Sequence, residues 1–300
     1  MKAASPLDGI LLIDKEQGWT SHDVVAKVRR LTGQRKSGHT GTLDPMATGL
    51  VVVCLGQATR LVEYMTAHDK RYVGEIRLGQ STDTDDAEGR VLAEAPIPEI
   101  SATTLRDLET RFSGPLSQLP PAYSALKVDG QRAYAVARAG GVPDLKARPV
   151  LIHAIALRQT ATDRLGIEVH CGPGTYIRSL ARDIGAALGC GAHLAALRRK
   201  SVGRFRVDQA LTLAELEALV GRDELDAAVL PLDDGILDVP VAIVGEERSA
   251  LLRHGQVLNP IVAFWEAPVG RVYDASGGFV AIASVSIDGL ITPLKVFAVR

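Results

Sequence analysis

The sequence predicts an α+β fold, and three observations predict it. Strand signals recur in the first half, as apolar runs at 9–15 and 50–55 and as alternation from Tyr72 to Leu78. Other segments repeat apolar residues every three or four positions, the helical spacing, as at 24–31 and 177–188. From about Val239 the pattern changes to short strands separated by turns at Gly255, Asn259-Pro260, Gly270, Gly277-Gly278 and Asp288-Gly289, which reads as a small all-β module. Three hundred residues hold one large domain and one small one. The acidic stretch 223–238, interrupted by Pro231 and Gly235, reads as the linker, giving domains 1–238 and 239–300.

In order, 9–15 is a strand broken by Gly18. Thr20 or Ser21 caps a helix that carries Val24, Val25, Val28 and Leu31 on one side and stops at Gly33. Its other side and exit carry Lys27, Arg29, Arg30, Arg35 and Lys36. Such a run is ordinarily a solvated helix face, but this one leads straight into His39 and Asp44 and is expected to meet phosphates. The stretch 38–56 is polar and glycine-rich at first, then continuously apolar from Leu50 to Leu55, which reads as a strand buried on both faces, with a buried helical turn as the alternative that periodicity leaves open. Pro45 pushes Asp44 out of helical dihedrals, and Gly41 and Gly49 permit tight turns. One carboxylate is thus displayed on a stiff loop beside a hydrophobic strand. On its own an Asp-Pro pair is an ordinary turn.

The strand at 70–78 puts Tyr72 on the face of Ile76 and Leu78. The turn 82–89 follows. Asp83, Asp85 and Glu94 have the spacing of a calcium loop, but Ala87 and Glu88 stand where a ligand and a glycine are required, so that reading is rejected. Ser101 caps a helix with Leu105, Leu108 and Phe112. The segment 121–149, with Lys127, Arg132, Arg138, Lys146 and Arg148, reads as a flexible loop. Strands at 150–157 and 166–171 precede a break, 172–175, that opens a helix. On it Ile177, Leu180, Ala181, Ile184 and Leu188 face the core, with Arg178 one residue off that stripe. Arg198, Arg199, Lys200, Arg204 and Arg206 form a second basic cluster, and Thr212 with Glu215 forms a capping box.

The ordered motifs around Asp44, Tyr72, Tyr123 and Arg178 resemble those of the TruB-type tRNA pseudouridine synthases. HTGTLDPMATGL at 39–50 resembles the family's catalytic motif, DKRY at 69–72 resembles the segment that carries its active-site tyrosine, PPAYSALK at 120–127 resembles its second motif, and GTYIR at 174–178 resembles its third. The resemblance spans roughly 9–206. It implies a pseudouridine synthase catalytic domain, with a central mixed or antiparallel sheet flanked by helices and loops. It implies Asp44 as the catalytic residue, Arg178 as its partner, Tyr72 against the target base, Tyr176 in substrate contact and Leu197 lining the uridine pocket. His39 is well placed to fill the space left by an extruded base. Asp86, in a TDT-x-D-x-x-G-like turn, is a further candidate, and 121–149 is implied to be a thumb that closes on RNA. By order the C-terminal module resembles a PUA-type RNA-binding domain. Relatives usually carry Lys-Pro where this chain has Lys15-Glu16, which leaves Lys15 without an assigned role.

The function expected is isomerisation of uridine 55 in the T loop of tRNA, with Asp44 as nucleophile or base and with no cofactor or metal. Arg29, Arg30, Arg35, Lys36, Arg198, Arg199 and Lys200 are expected on the RNA backbone. A net charge of −1 argues against a general nucleic-acid coat but not against local basic faces. Cys54, Cys171 and Cys190 have neither metal-ligand nor disulfide spacing, and no apolar stretch reaches signal or membrane length. A cytoplasmic monomer without an obligate protein partner is expected. Two other readings stay open: an aspartate-dependent nucleic-acid glycosylase, which would release free uracil, and an RNA-binding or chaperone protein indifferent to loss of the Asp44 carboxylate.

Overall fold

A computed structural model describes residues 7–128, 130–259, 269–286 and 288–298. Strand β1 (Gly9–Lys15) is followed by helix α1 (Ser21–Thr32). Thr20 is the cap: its side chain accepts from the Asp23 amide, and Asp23 returns the bond to the Thr20 amide. Gly33, at φ 68°, closes the helix. Then come β2 (Ser37–His39), β3 (Thr48–Leu55), the short α2 (Val62–Thr66), β4 (Lys70–Leu78), and the hairpin of β5 (Gln80–Thr82) and β6 (Val91–Glu94). Helix α3 (Ala102–Arg111), capped by Ser101, leads to β7 (Gly114–Gln118). The segment expected to be a loop holds a two-residue ribbon, β8 (Lys127–Val128) and β9 (Gln131–Arg132), and helix α4 (Ala133–Arg138).

The long hairpin of β10 (Arg148–Ala161) and β11 (Arg164–Cys171) precedes α5 (Ile177–Leu188), β12 (Ala192–Val202), β13 (Phe205–Arg206) and α6 (Leu213–Gly221). The central sheet has nine strands in the order β1-β3-β12-β4-β11-β10-β7, with β2 beside β3 and β13 beside β12. It is antiparallel except where β12 meets β3 in parallel, at Arg198 opposite Thr48 and Arg199 opposite Gly49. That joint lies just after the Asp44 loop.

Both faces of the sheet are covered, which explains the unbroken apolar runs of β1 and β3. Leu11, Ile13, Val51 and Val53 join a core with α1 and α5. Ile10, Leu12, Leu50, Val52 and Cys54 face a second core that includes Ile282 and Phe297 of the C-terminal module. That module contains β14 (Val241–Val244), α7 (Glu246–Arg253), β15 (Gly270–Asp274), β16 (Phe279–Val285) and β17 (Ile291–Val296), with the strands in sequence order in one sheet. Helix α7 stands where the reading expected only strands and turns. Of the turn at Asn259-Pro260, Pro260 lies outside the described residues.

The stretch 223–238 is not the free linker expected. Leu230 exchanges two backbone hydrogen bonds of 2.9 Å with Ile10, and Gly235 and Ile236 are buried. The reason is the edge of the sheet: β1 is the terminal strand, and its unpaired groups are satisfied by this returning chain and by Leu211. Among the described residues no helix is long and apolar enough to cross a membrane.

Candidate active site

The loop between β2 and β3 carries Asp44 and is tied down from four sides. The Thr40 amide donates to Val52 O at 3.1 Å. Ser21, in the first turn of α1, accepts from the Leu43 amide at 2.7 Å through its hydroxyl. Lys15, with no exposed surface, donates to Trp19 O at 2.6 Å and to Pro45 O at 3.3 Å, and the Gly18 amide also donates to Pro45 O. Arg199 donates to Gly41 O at 3.1 Å, Thr42 O at 3.2 Å and Leu50 O at 2.7 Å. Asp44 is therefore positioned by the folded sheet and not by its proline alone.

Arg178 lies in the first turn of α5. The helix is steered there by Gln118, whose side chain accepts from the Tyr176 amide at 2.8 Å and donates to Tyr176 O at 3.1 Å. Ile177, Leu180 and Ala181 bury the same turn, leaving Arg178 only 5 % exposed. Its guanidinium faces four acceptors. Nε lies 3.0 Å from Asp44 Oδ2, and Nη2 donates to Asp44 Oδ1 at 3.3 Å and to Tyr123 O at 2.9 Å. Nη1 donates to Thr84 O at 2.9 Å and lies 3.3 Å from Asp86 Oδ2. Asp86 is buried and is itself held by the Thr84 hydroxyl and the Glu88 amide. A planar fork is the one cationic side chain that can serve two carboxylates and two carbonyls at once.

A cavity of about 760 Å³ opens on this pair, within the size range of small-molecule sites. Tyr72, Tyr176 and Leu197 line it together with Asp44, Arg178 and Asp86. Tyr134 and Arg138 of α4 form its outer rim from the 121–149 segment. A third of the Asp44 side chain is open to the cavity, and the rest is packed. Burial raises its carboxyl above the usual value; the Arg178 guanidinium opposes this, and the Asp86 charge adds to it. Burial likewise raises the Tyr72 hydroxyl. Lys15 and Lys70 are each lowered to about 8, by burial first. Lys70 also lines the cavity, with its ammonium on Thr66 O and His68 O. Between Asp44 and Asp86 the positive charge is the protein's own, from Arg178, which leaves this carboxylate pair with the counter-ion a metal would otherwise provide.

Four of the expected site residues thus meet Asp44 in one place: Tyr72, Arg178, Tyr176 and Leu197. Asp86 joins them. His39 does not line the cavity. It ends β2 opposite Val53, beside Thr40, which does line it. Its imidazole is lowered from the usual value, by burial first and then by Arg199.

Arg199 is a correction. Expected on the RNA backbone, it is 1 % exposed and donates to the carbonyls of Gly41 and Thr42 in the loop and of Leu50 in β3. Strand alternation is the reason: Leu197 and Arg199 point inward, so neither is on the surface. Arg198 is half-buried and pairs through two bonds, 2.9 and 2.6 Å, with Asp14. Arg29 is exposed but already spans to Ser37. Arg30, Arg35, Lys36 and Lys200 are exposed. The reading gave no structural role to Lys15, Gln118 or Lys70. Of these only Lys15 had a signal, as a charge at the end of a buried apolar strand.

Two family models match the chain: the N-terminal domain of the TruB family pseudouridylate synthases over residues 29–177, and the tRNA pseudouridylate synthase B C-terminal domain over residues 178–236. The chain is similar to the tRNA pseudouridine synthase B of Pseudomonas putida (strain F1), at 43% identity over 292 residues, covering 96% of this chain and 95% of that one. It is similar to the protein of the same name from Thermobifida fusca (strain YX), at 44% identity over 300 residues, covering 97% and 99%. Among solved structures it resembles a chain of a Cbf5-Nop10-Gar1 complex, with a TM-score of 0.76, 25% identity and coverage of 97% of this chain and 85% of that one. A chain of an H/ACA RNP bound to a substrate RNA containing 2'-deoxyuridine gives the same TM-score at 23% identity, covering 97% and 86%.

Proposed function

The chain belongs to the TruB family of pseudouridylate synthases, and from that premise we propose that it isomerises uridine 55 in the T loop of tRNA to pseudouridine, with Asp44 as the catalytic nucleophile or base. The observation that carries this reading is the ion pair of Arg178 with Asp44, 3.0 Å from Nε to Oδ2 with a hydrogen bond of 3.3 Å from Nη2 to Oδ1, at the mouth of a cavity lined by Tyr72 and Leu197.

The reaction exchanges one bond for another. The bond from the ribose C1' to the uracil N1 breaks, the base turns, and C1' bonds to C5. C5 gives up a proton and N1 gains one, so atoms and electrons balance without a cofactor. The base must first leave its stack, at a cost of about a few kcal/mol. The cavity receives it against the Tyr72 ring, with Leu197 on the wall. Asp44 works ionised; Arg178 orients the carboxylate and opposes the pKa rise that burial imposes. The Tyr72 hydroxyl, protonated at neutral pH like an ordinary tyrosine and raised further by burial, keeps a donor for the base.

The segment 121–149 serves as a thumb, with its root fixed where Arg178 holds Tyr123 O and Arg182 holds Leu119 O, and with Tyr134 and Arg138 over the cavity. Arg30, Arg35, Lys36 and Lys200, exposed, meet phosphates. His39, beside the cavity wall, fills the space the base leaves. Domain 1–238 is catalytic, and 239–300 is a PUA-like RNA-binding module. The enzyme acts as a monomer in the cytoplasm, where its tRNA substrate is found. Incubation with an unmodified tRNA transcript, followed by mapping of pseudouridine and assay of free uracil, tests the reading. Pseudouridine at position 55 without free uracil is expected; uracil release would make the protein a glycosylase.

A further inference from the structure

Outside the cavity, folding brings Asp69, His153 and His170 together. The strand register explains how. In the β10–β11 hairpin Ile152 faces Cys171 and Ala154 faces His170, which leaves His153 as an extra residue in β10. An extra residue in one strand of an antiparallel pair re-aims a side chain, and here the two imidazole rings lie 4.6 Å apart. On the other side of β11, Lys70 of β4 pairs with Cys171, so Asp69 arrives one residue beyond the ladder.

Asp69 Oδ2 is 3.1 Å from His153 Nε2 and 3.6 Å from His170 Nε2, and one ligand atom from each residue lies within 4.8 Å of the others. Around a tetrahedral zinc with bonds of about 2.0–2.1 Å, neighbouring ligand atoms stand about 3.3 Å apart. The two Asp–His separations fall on either side of that value. Two imidazoles and a carboxylate suit zinc and its first-row neighbours, whereas magnesium and calcium take all-oxygen sets. The three side chains keep between 25% and 44% of their surface open, enough for an ion to enter and for water to complete its shell.

We propose that Asp69, His153 and His170 bind one zinc-class divalent transition-metal ion, which staples the β10–β11 hairpin to the entry of β4. The site is separate from the Asp44 cavity and stands or falls apart from the catalytic reading. The test uses the full-length chain without an affinity tag, stripped by chelator, dialysed and titrated with zinc chloride by calorimetry in a non-coordinating buffer. One zinc per chain is expected, with a rise in Tm of about 3 °C or more at saturation. His153→Ala and His170→Ala should each weaken binding by about tenfold or more, and circular dichroism checks that both fold. Cobalt should give tetrahedral visible bands in the parent and lose them in His153→Ala. Zinc binding in His153→Ala equal to that of the parent, or none in either, overturns the proposal.

Discussion

At the scale of the residue, the proposed chemistry rests on one carboxylate, Asp44, whose pKa burial raises. With ionised Asp44 as the proposed working form, the rate should fall as pH drops through its folded pKa, and that acid limb should lie above the 3.8 of an ordinary aspartate. A pH–rate profile in single turnover measures it; a limb at or below 3.8 would contradict the burial argument. The same shift has a stability sign. A raised pKa favours the neutral form in the fold, so the stabilisation is complete below the unfolded pKa and is lost as pH rises through the folded one. At neutral pH the ionised group is a cost that Asn does not carry. Asp44→Asn should therefore unfold at a temperature no lower than the parent, bind unmodified tRNA as tightly and with a similar salt slope, and form no pseudouridine. Pseudouridine at the parental rate would return Asp44 to the status of a turn residue. Arg178→Lys keeps the charge but loses the fork; a large fall in rate with little change in tRNA affinity is expected.

The element that matters is the loop between β2 and β3, and its geometry depends on a strand distant in sequence. Arg199→Met keeps most of the volume but strands three carbonyls, those of Gly41 and Thr42 in the loop and of Leu50 in β3, at a cost of about 3 kcal/mol, and should lower the rate by loosening Asp44. Denaturant unfolding combined with single-turnover rates on saturating tRNA would show both losses; a stable, fully active Met variant would remove Arg199 from the loop's support. Gly49 makes the parallel joint possible. At φ 102°, an added Cβ would stand 2.3 Å from Arg199 O, so Gly49→Ala should destabilise by about 2 kcal/mol or more, readable in the same experiment. The motif around Asp44 was legible from residues 39–50 because Pro45 and the glycines act locally. Its clamp was not, because Arg199 reads as one more basic residue in 198–206 until the strand alternation turns it inward.

Across the whole molecule, the C-terminal module is part of the folded core as well as a candidate RNA surface. Phe297, 1% exposed, packs on Phe279 at 4.7 Å and under Arg60 at 4.9 Å, in the core that holds Leu50 and Val52. Phe297→Ala should cost about 3–5 kcal/mol, and truncation at Val239 should expose the back of the central sheet and lower solubility and Tm. If the truncated chain melted like the parent, the module would be an independent appendage. The Asp44–Arg178 site has its cation built in, so chelation should leave turnover on folded tRNA unchanged while lowering Tm. Activity restored only by a transition metal would place an ion in the reaction.

The sequence by itself determined what depends on neighbours along the chain: the periodicity of β1, β3, β4, α1 and α5 and the caps at Ser101 and Thr212, while the motif residues Asp44, Tyr72, Tyr176 and Arg178 came through resemblance to a family. Only the tertiary structure decided which of its many charges are surface and which are framework. Lys15, Asp86 and Arg199 are buried, Leu230 closes the edge of β1, and a bulge at His153 assembles a ligand trio from residues as far apart as 69 and 170. The physical reason is that burying a charge depends on partners supplied by other strands. Those partners are backbone carbonyls and carboxylates whose position is set by sheet register, which local pattern does not encode.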